Sequence, residues 1–226
     1  MARRFLDRTD AGRALAGLLT GYRGDPKAVV LALPRGGVPV AYEVASALDL
    51  PLDVLVVRKL GLPSQPELAM GAVASGGAIV LNEDVVRYLP RGGDVLEQVT
   101  ARELQELARR EKSYRGDRPA LQMRGRTGIL VDDGLATGAT MAAAVRALRI
   151  LEAGRIVVAV PVASIEARDR IAALADEVAC LQAPPLFSAV GQWYERFDQT
   201  EDQEVRELLA RSRAASAGGG EAEPAR

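Results

Sequence analysis

The chain of 226 residues carries 29 Lys+Arg against 30 Asp+Glu, no His and a single Cys, with 48% hydrophobic residues. That length and apolar share suit one α/β domain with a real core, and the balanced charge provides no basic field for nucleic acid. The lack of histidine excludes a Ser-His-Asp relay, His-ligated zinc and an imidazole base, while lone Cys180 excludes an internal disulfide and a thiolate metal cluster and fits a reducing cytoplasm.

The start, Met1-Ala2-Arg3-Arg4-Phe5-Leu6, turns polar within a few residues and reads as no signal peptide. No apolar run approaches membrane-spanning length. Thr9 or Asp10 is placed to cap a helix over Ala11 to Leu19, with Ala14, Leu15, Leu18 and Leu19 on one face. Ala28 to Leu33 is a continuous apolar run and reads as a central strand of a parallel sheet. Pro34-Arg35-Gly36-Gly37 follows, then a helix from Val38 to Leu48. A strand, a Gly-rich turn and a helix start form either an anion site or a plain turn.

Leu52 to Val57 reads as a second buried strand. Arg58-Lys59 sits at its end, before Leu60-Gly61-Leu62-Pro63-Ser64-Gln65-Pro66-Glu67. The two cations and the aperiodic, Pro-containing stretch to Ala69 read as a mobile functional loop or as a solvated cationic turn. Gly71 to Ser75 and Ala78 to Leu81 alternate around Gly76-Gly77, the pattern of a β-hairpin. Asn82, Glu83 and Asp84 then start a short helix. Asp94 is placed to cap a long helix to about Tyr114, whose charges, such as Glu106 and Arg110, read as a solvated face without chemistry.

Ile129-Leu130-Val131-Asp132-Asp133-Gly134-Leu135-Ala136-Thr137-Gly138-Ala139-Thr140 organises the rest of the chain. Its apolar start reads as a buried strand, its small residues as a tight loop, and Met141 to Glu152 as the helix that follows. A helix start presents unpaired N–H groups and the positive end of the macrodipole, so Ala136 to Thr140 form a phosphate cradle to which Thr137 and Thr140 add hydroxyl donors. Asp132 and Asp133 suit neighbouring hydroxyls, the water shell of Mg²⁺, or a developing positive charge. Strands at Ile156 to Val162, interrupted by Pro161, and at Glu177 to Leu181 alternate with a helix at Ile165 to Leu174, which indicates a doubly wound, mostly parallel sheet. Cys180 reads as a small core hydrophobe. Val205 to Arg211 closes with a helix, and Ala214 to Arg226 is too poor in large apolar groups to order itself.

This signature resembles that of the type I phosphoribosyltransferases. The resemblance implies their fold, a sheet flanked by helices with a small hood and a flexible loop. One domain is expected over residues 1–213, with its core at about 28–162, its hood drawn from the N-terminus and 163–213, and a disordered tail at 214–226. It implies that Asp132 and Asp133 hold the ribose of phosphoribosyl pyrophosphate (PRPP), that Ala136, Thr137, Gly138, Ala139 and Thr140 hold its 5′-phosphate, and that Arg35, Gly36 and Gly37 contact the pyrophosphate. Arg58 and Lys59 match the start of the family's closing loop and join the aspartates as expected catalytic residues. Phe187, Trp193 and Tyr194 resemble the hood segment whose aromatic stacks on a purine.

The implied reaction is transfer of the 5-phosphoribosyl unit to a nitrogen nucleophile, a nucleobase, with release of pyrophosphate and with Mg²⁺ held through water by the aspartates. Gly134-Leu135-Ala136 supplies no further acidic group as a base. The implied protein is a cytoplasmic homodimer without nucleic-acid or membrane partners. A PRPP- or nucleotide-binding regulator without turnover is the alternative, and a hydrolase of activated ribose phosphates a weaker one.

Overall fold

The computed structural model of the chain describes residues 3–88 and 94–218. Strands β1 (Ala28–Ala32), β2 (Leu52–Val54), β6 (Thr127–Val131), β7 (Arg155–Val162) and β8 (Glu177–Gln182) form a parallel sheet in the order β2-β1-β6-β7-β8. Strands β3 (Val57–Leu62), β4 (Gln65–Ala74) and β5 (Ala78–Leu81) form a second, antiparallel sheet in sequence order. The helices are α1 (Arg8–Ala16), α2 (Gly37–Leu48), α3 (Glu83–Val86), α4 (Asp94–Arg115), α5 (Ala139–Ile150), α6 (Ile165–Ala172) and α7 (Asp202–Gly218). The expected doubly wound, mostly parallel sheet is therefore the architecture.

The two-residue period of a strand sends alternate side chains to opposite faces, and both faces of this sheet are covered. All five β1 residues are buried. Val30 and Ala32 join one layer with Val40, Val44 and Leu48 of α2, Leu15 of α1, and Val205 and Leu209 of α7. Val29 and Leu31 join the other with Met141, Val145 and Leu148 of α5 and Ile171 of α6. Each large aliphatic side chain so buried contributes roughly 1.5–3 kcal/mol. That pattern explains why the β-branched and leucine-rich runs of the sequence are nearly continuous rather than alternating.

The strand order places a topological switch between β1 and β6. From β1 the chain winds outward to β2, and from β6 it winds the other way to β7 and β8. Helices α2 and α5, which follow β1 and β6, lie in opposite layers. The loops that leave the carboxyl ends of these two strands therefore diverge and leave a crevice between them.

Several sequence expectations are corrected locally. Helix α1 begins at Arg8 and is capped by Asp7, whose carboxylate accepts from the Asp10 N–H at 2.9 Å; Asp7 has extended backbone while Thr9 and Asp10 lie inside the first turn. The run Leu52 to Val57 is split: Leu52–Val54 pairs with β1, and Val57 pairs with Ala74 in the second sheet. The stretch from Leu60 to Ala69, expected as an aperiodic loop, is a paired hairpin in which Leu60 is fully buried with Met70, Val73 and Val99. Backbone pairing and the packing of alternate residues against α4 supply the order that the prolines argue against. Strand β7 runs unbroken through Pro161. Helix α7 continues to Gly218, because Ala214 and Ala215 are strong helix formers extending a helix already anchored by Val205 and Leu209. Of the expected disordered tail, residues 214–218 are thus helical, and 219–226 lie outside the described residues.

Helix α4 also differs from the expected solvated rod. It buries Val99, Leu107 and Tyr114, and two of its charges are buried and paired. Arg115 grips Asp53 of β2 with Nε at 3.0 Å and a second nitrogen at 3.2 Å, and Glu103 receives Arg58. The Gly76-Gly77 hairpin turn is present, with both glycines at φ 79° between the paired Ala74 and Ala78. No helix among the described residues is long and apolar enough to cross a membrane.

Candidate active site

At the switch point lies an open cleft of about 490 Å³, lined by Arg35 and Gly36 from the turn after β1, Asp132, Asp133 and Thr140 from the stretch after β6, and Arg8 and Phe197 from outside the sheet. The two segments that the sequence singled out are thus brought face to face.

The turn after β1 depends on its glycines for proximity. A Cβ on Gly36 would fall 2.1 Å from Asp133 Oδ2, and one on Gly37 would fall 2.7 Å from the Val131 carbonyl oxygen. Only a residue without a side chain lets the turn approach the carboxylates this closely. The Pro34-Arg35 peptide is cis. Arg35 extends toward Glu201 and Asp202, at 3.8 and 3.9 Å, with its guanidinium one-third exposed.

The two aspartates are held differently. Asp132 accepts the Asp133 N–H at 2.9 Å through its Oδ1. Asp133 is gripped by Arg8, whose Nε donates to Oδ2 at 2.8 Å, with both side chains largely buried. Burial, and next the charge of Asp133, push the Asp132 carboxyl well above the usual carboxylate range. Burial also raises Asp133, against the opposing pull of Arg8. Two recessed carboxylates with raised proton affinity are poised to take a partner that supplies hydroxyl donors or positive charge.

The cradle after β6 is fixed by its surroundings. Leu135 donates to the Val162 carbonyl and accepts from the Ser164 N–H, both at 2.9 Å. The Ser164 hydroxyl donates to the Ala136 carbonyl at 2.8 Å, and Arg170 donates to the Thr137 carbonyl at 3.0 Å. Gly138 then turns the chain at φ 70° into α5, with no side chain capping the helix. The Ala139 N–H meets Thr137 Oγ1 at 3.4 Å, while the next N–H groups of the first turn have no intrahelical acceptor. Ala136, Thr137, Ala139 and Thr140 are exposed.

The remaining expected residues are placed elsewhere. Arg58 lies on the α4 side of β3 and bonds Glu103 Oε2 through Nε at 2.9 Å and a terminal guanidinium nitrogen at 2.6 Å. Lys59 points to the opposite side, toward α5. Neither lines the cleft at Asp132 and Asp133. Phe187 and Trp193 stack on each other with centroids 6.4 Å apart. Tyr194 is buried among Phe5 and Ala11, and its hydroxyl donates to the Asp133 carbonyl at 2.6 Å. It supports the site from beneath, and burial raises its pKa.

The cleft's aromatic is Phe197, with the Arg8 guanidinium 4.0 Å from its ring centroid and Tyr194 stacked at 5.0 Å. Arg8 and Phe197 lie outside the sequence expectations, as do Ser164 and Arg170. A lone Arg in an N-terminal helix carries no motif, and its role arises from a contact 125 residues away along the chain.

The phosphoribosyl transferase domain family matches residues 5–203. Two proteins of Mycobacterium tuberculosis, from strains CDC 1551 and H37Rv, carry provisional phosphoribosyl transferase names. Each is 50% identical over 208 residues, which is 92% of this chain and 47% of the relative. The chain spans about half the length of these relatives. The crystal structure of TT1426 from Thermus thermophilus superposes with a TM-score of 0.82 at 46% identity, covering 92% of this chain and 98% of that one.

Proposed function

The chain belongs to the phosphoribosyl transferase domain family, and we propose that it transfers the 5-phosphoribosyl unit of PRPP to a ring nitrogen of a nucleobase and releases pyrophosphate. The observation that carries this reading is the convergence of the recessed Asp132–Asp133 pair, the glycine turn at 34–37 and the exposed start of α5 on one cleft.

The 5′-phosphate is assigned to the free N–H groups at the start of α5 and to the hydroxyls of Thr137 and Thr140. The ribose hydroxyls are assigned to Asp132 and Asp133, and the pyrophosphate to Arg35 with the backbone of Gly36 and Gly37. In the reaction the C1′–O bond to pyrophosphate breaks and a C1′–N bond forms. Positive charge builds on the ribose between these events, where recessed carboxylates stabilise it. The leaving pyrophosphate takes the electron pair, and the proton lost by the nucleobase nitrogen passes to it or to solvent. Phe197 offers the base an aromatic surface; Phe187 and Trp193 satisfy one another instead.

The donor set suits Mg²⁺ bound mainly through substrate oxygens and water. Asp132 and Asp133 would hold it, and among the described residues no group of three or more His, Cys, Asp or Glu side chains is arranged to cage a metal. When bound, Mg²⁺ neutralises charge on the pyrophosphate leaving group. A homodimer in a reducing cytoplasm belongs to the same proposal, in keeping with the free thiol of Cys180.

The test is a panel of purines and pyrimidines incubated with PRPP and Mg²⁺ and followed by pyrophosphate release. Base-dependent release is the expected result. Tight PRPP binding without release for any base would favour the regulator instead.

A further inference from the structure

A space of about 320 Å³ adjoins the cleft and is lined in part by Asp7, Arg8, Arg196, Asp198, Thr200 and Glu204. It meets the cleft at Arg8, Gln199 and Thr200, which line both. Thr200 is carried by residues 196–201, which run into α7 without regular structure. That segment is held at two points. The Arg196 N–H donates to the Leu6 carbonyl at 2.9 Å, and Arg8 donates to the Asp198 carbonyl at 2.6 Å. Thr200 is only 4% exposed. A hydroxyl recessed that far is ordinarily hydrogen-bonded, yet no described residue bonds this one. Among the described residues, the fully covered side-chain atom left without a partner is Trp193 Nε1, not the Thr200 oxygen. The Thr200 hydroxyl therefore opens on the space that its residue lines, with its donor and its acceptor lone pairs unused.

The charges around this space do not cancel. Arg8 is matched to Asp133 at 2.8 Å, and Arg196 to Asp7 at 2.9 Å. Asp198 and Glu204 are exposed, and no described residue bonds either carboxylate. Unmatched carboxylates on an open surface are ordinarily just solvated. These two flank a cavity that carries a recessed hydroxyl without a partner and that continues into the cleft. Their field favours a group that donates hydrogen bonds over one that only accepts them.

We propose that Thr200 is a specificity-determining residue for the acceptor, and that Asp198 and Glu204 set the acceptor's class: a nitrogen heterocycle bearing an exocyclic amino group, in preference to the matching oxo compound. The inference rests on the transfer reading of the cleft and goes beyond it, since that reading leaves the choice among nucleobases open. An acceptor that meets the ribose at Asp132 and Asp133 shares the cleft with Thr200. Its ring takes the Thr200 hydrogen bond, and its substituent extends toward the carboxylates. These accept from an amino group and repel the lone pairs of a carbonyl oxygen. A hydroxyl both donates and accepts, so Thr200 alone does not tell the two substituents apart; the carboxylates do.

Matched pairs test it: adenine against hypoxanthine and cytosine against uracil, each with PRPP and Mg²⁺, followed by pyrophosphate release from the full chain. In the pair that turns over, kcat/KM for the amino base should exceed that for the oxo base by at least about tenfold. The double variant Asp198→Asn with Glu204→Gln alters only exposed side chains and should bring that ratio below about threefold. Thr200→Val should raise KM for the amino base at least about tenfold with KM for PRPP unchanged, and Thr200→Ser should restore it. A merely structural hydroxyl would change the melting temperature and leave that KM alone. Equal turnover of both members of a pair, a preference that survives the double variant, or a Thr200→Val loss shared with PRPP would each overturn the proposal and leave transfer standing. If no base supports release, the transfer reading fails, and titration with adenosine and inosine 5′-monophosphates decides the selection by itself. Binding of the amino nucleotide at least about tenfold tighter, with the preference lost in the double variant, sustains the proposal, and any other result overturns it.

Discussion

Arg8 Nε and Asp133 Oδ2, 125 residues apart in sequence, lie 2.8 Å apart in the fold. The same guanidinium donates to the Asp198 carbonyl at 2.6 Å and covers the Phe197 ring. One side chain from α1 thus ties a strand-end carboxylate to the segment that closes the cleft from the other side. Backbone bonds join the same pieces: Phe5 donates to Trp193, and Glu195 and Arg196 donate to Phe5 and Leu6.

Removing that cation leaves a recessed carboxylate without its partner. Arg8→Ala is expected to lower stability at neutral pH by about 2 kcal/mol, the scale for breaking a largely buried pair that retains some solvent. Urea denaturation of Arg8→Ala, Asp133→Asn and the double variant checks it. Losses that simply add would show that the two residues do not act as a unit.

Asp132 has its carboxyl raised by burial, so the folded state holds that proton more tightly than the unfolded chain. Stability therefore falls as pH rises from the ordinary value of 3.8 through the raised one, and the penalty is full above it. Asp132→Asn removes the penalty. Its melting temperature should exceed that of the parent at pH 8, and the gap should close toward pH 4. Affinity for PRPP should fall at least about 100-fold, the effect of losing roughly two charged hydrogen bonds at about 1.5 kcal/mol each. A variant that melts lower than the parent at pH 8 contradicts the raised pKa.

The two glycines of the turn should separate by phenotype. A Cβ at Gly36 meets the Asp133 Oδ2 that Arg8 holds, whereas one at Gly37 meets main chain at Val131. Gly36→Ala is expected to weaken PRPP binding and to displace Asp133 from Arg8, so that its stability loss disappears when Arg8 is already replaced by Ala. Gly37→Ala should cost about 1–3 kcal/mol of stability, the usual penalty of overpacking. Parallel calorimetric titration and denaturation distinguish them, and equal effects of both variants on both readouts would refute the distinction.

Arg58 should behave as a structural residue. Glu103 is only 6% exposed and depends on Arg58, with Arg102 as a second, more exposed partner at 3.1 Å. Arg58→Ala is therefore expected to destabilise the protein by about 1–3 kcal/mol while sparing affinity for pyrophosphate. A selective loss of pyrophosphate affinity with unchanged stability would return Arg58 to the ligand site.

The strand-loop-helix signature was legible because its information is local. Valine and isoleucine runs bury on both sides of a sheet, small residues permit a tight turn, and a helix start exposes its own N–H groups. Asp132, Asp133 and the loop at 136–140 needed nothing distant to be singled out as candidates, and the Arg35-Gly36-Gly37 turn needed only the analogy of a second βα unit; that these segments face one cleft came from the fold. The alternation of strands and helices likewise fixed the architecture.

Tertiary structure alone decided which side chains meet. Arg58 and Lys59 are adjacent in sequence, yet the pleat of β3 sends one to Glu103 on α4 and the other toward α5. Leu60 to Ala69 looked unanchored because its partners, Val73 and Val99, lie outside any local window. Phe187, Trp193, Tyr194 and Phe197 are equivalent as composition, but only Phe197 reaches the cleft. Sequence specifies the local conformation through backbone preference and hydrophobic period. The partner of a buried charge or an aromatic ring is set by which layers the topology stacks together, and that is a property of the whole chain.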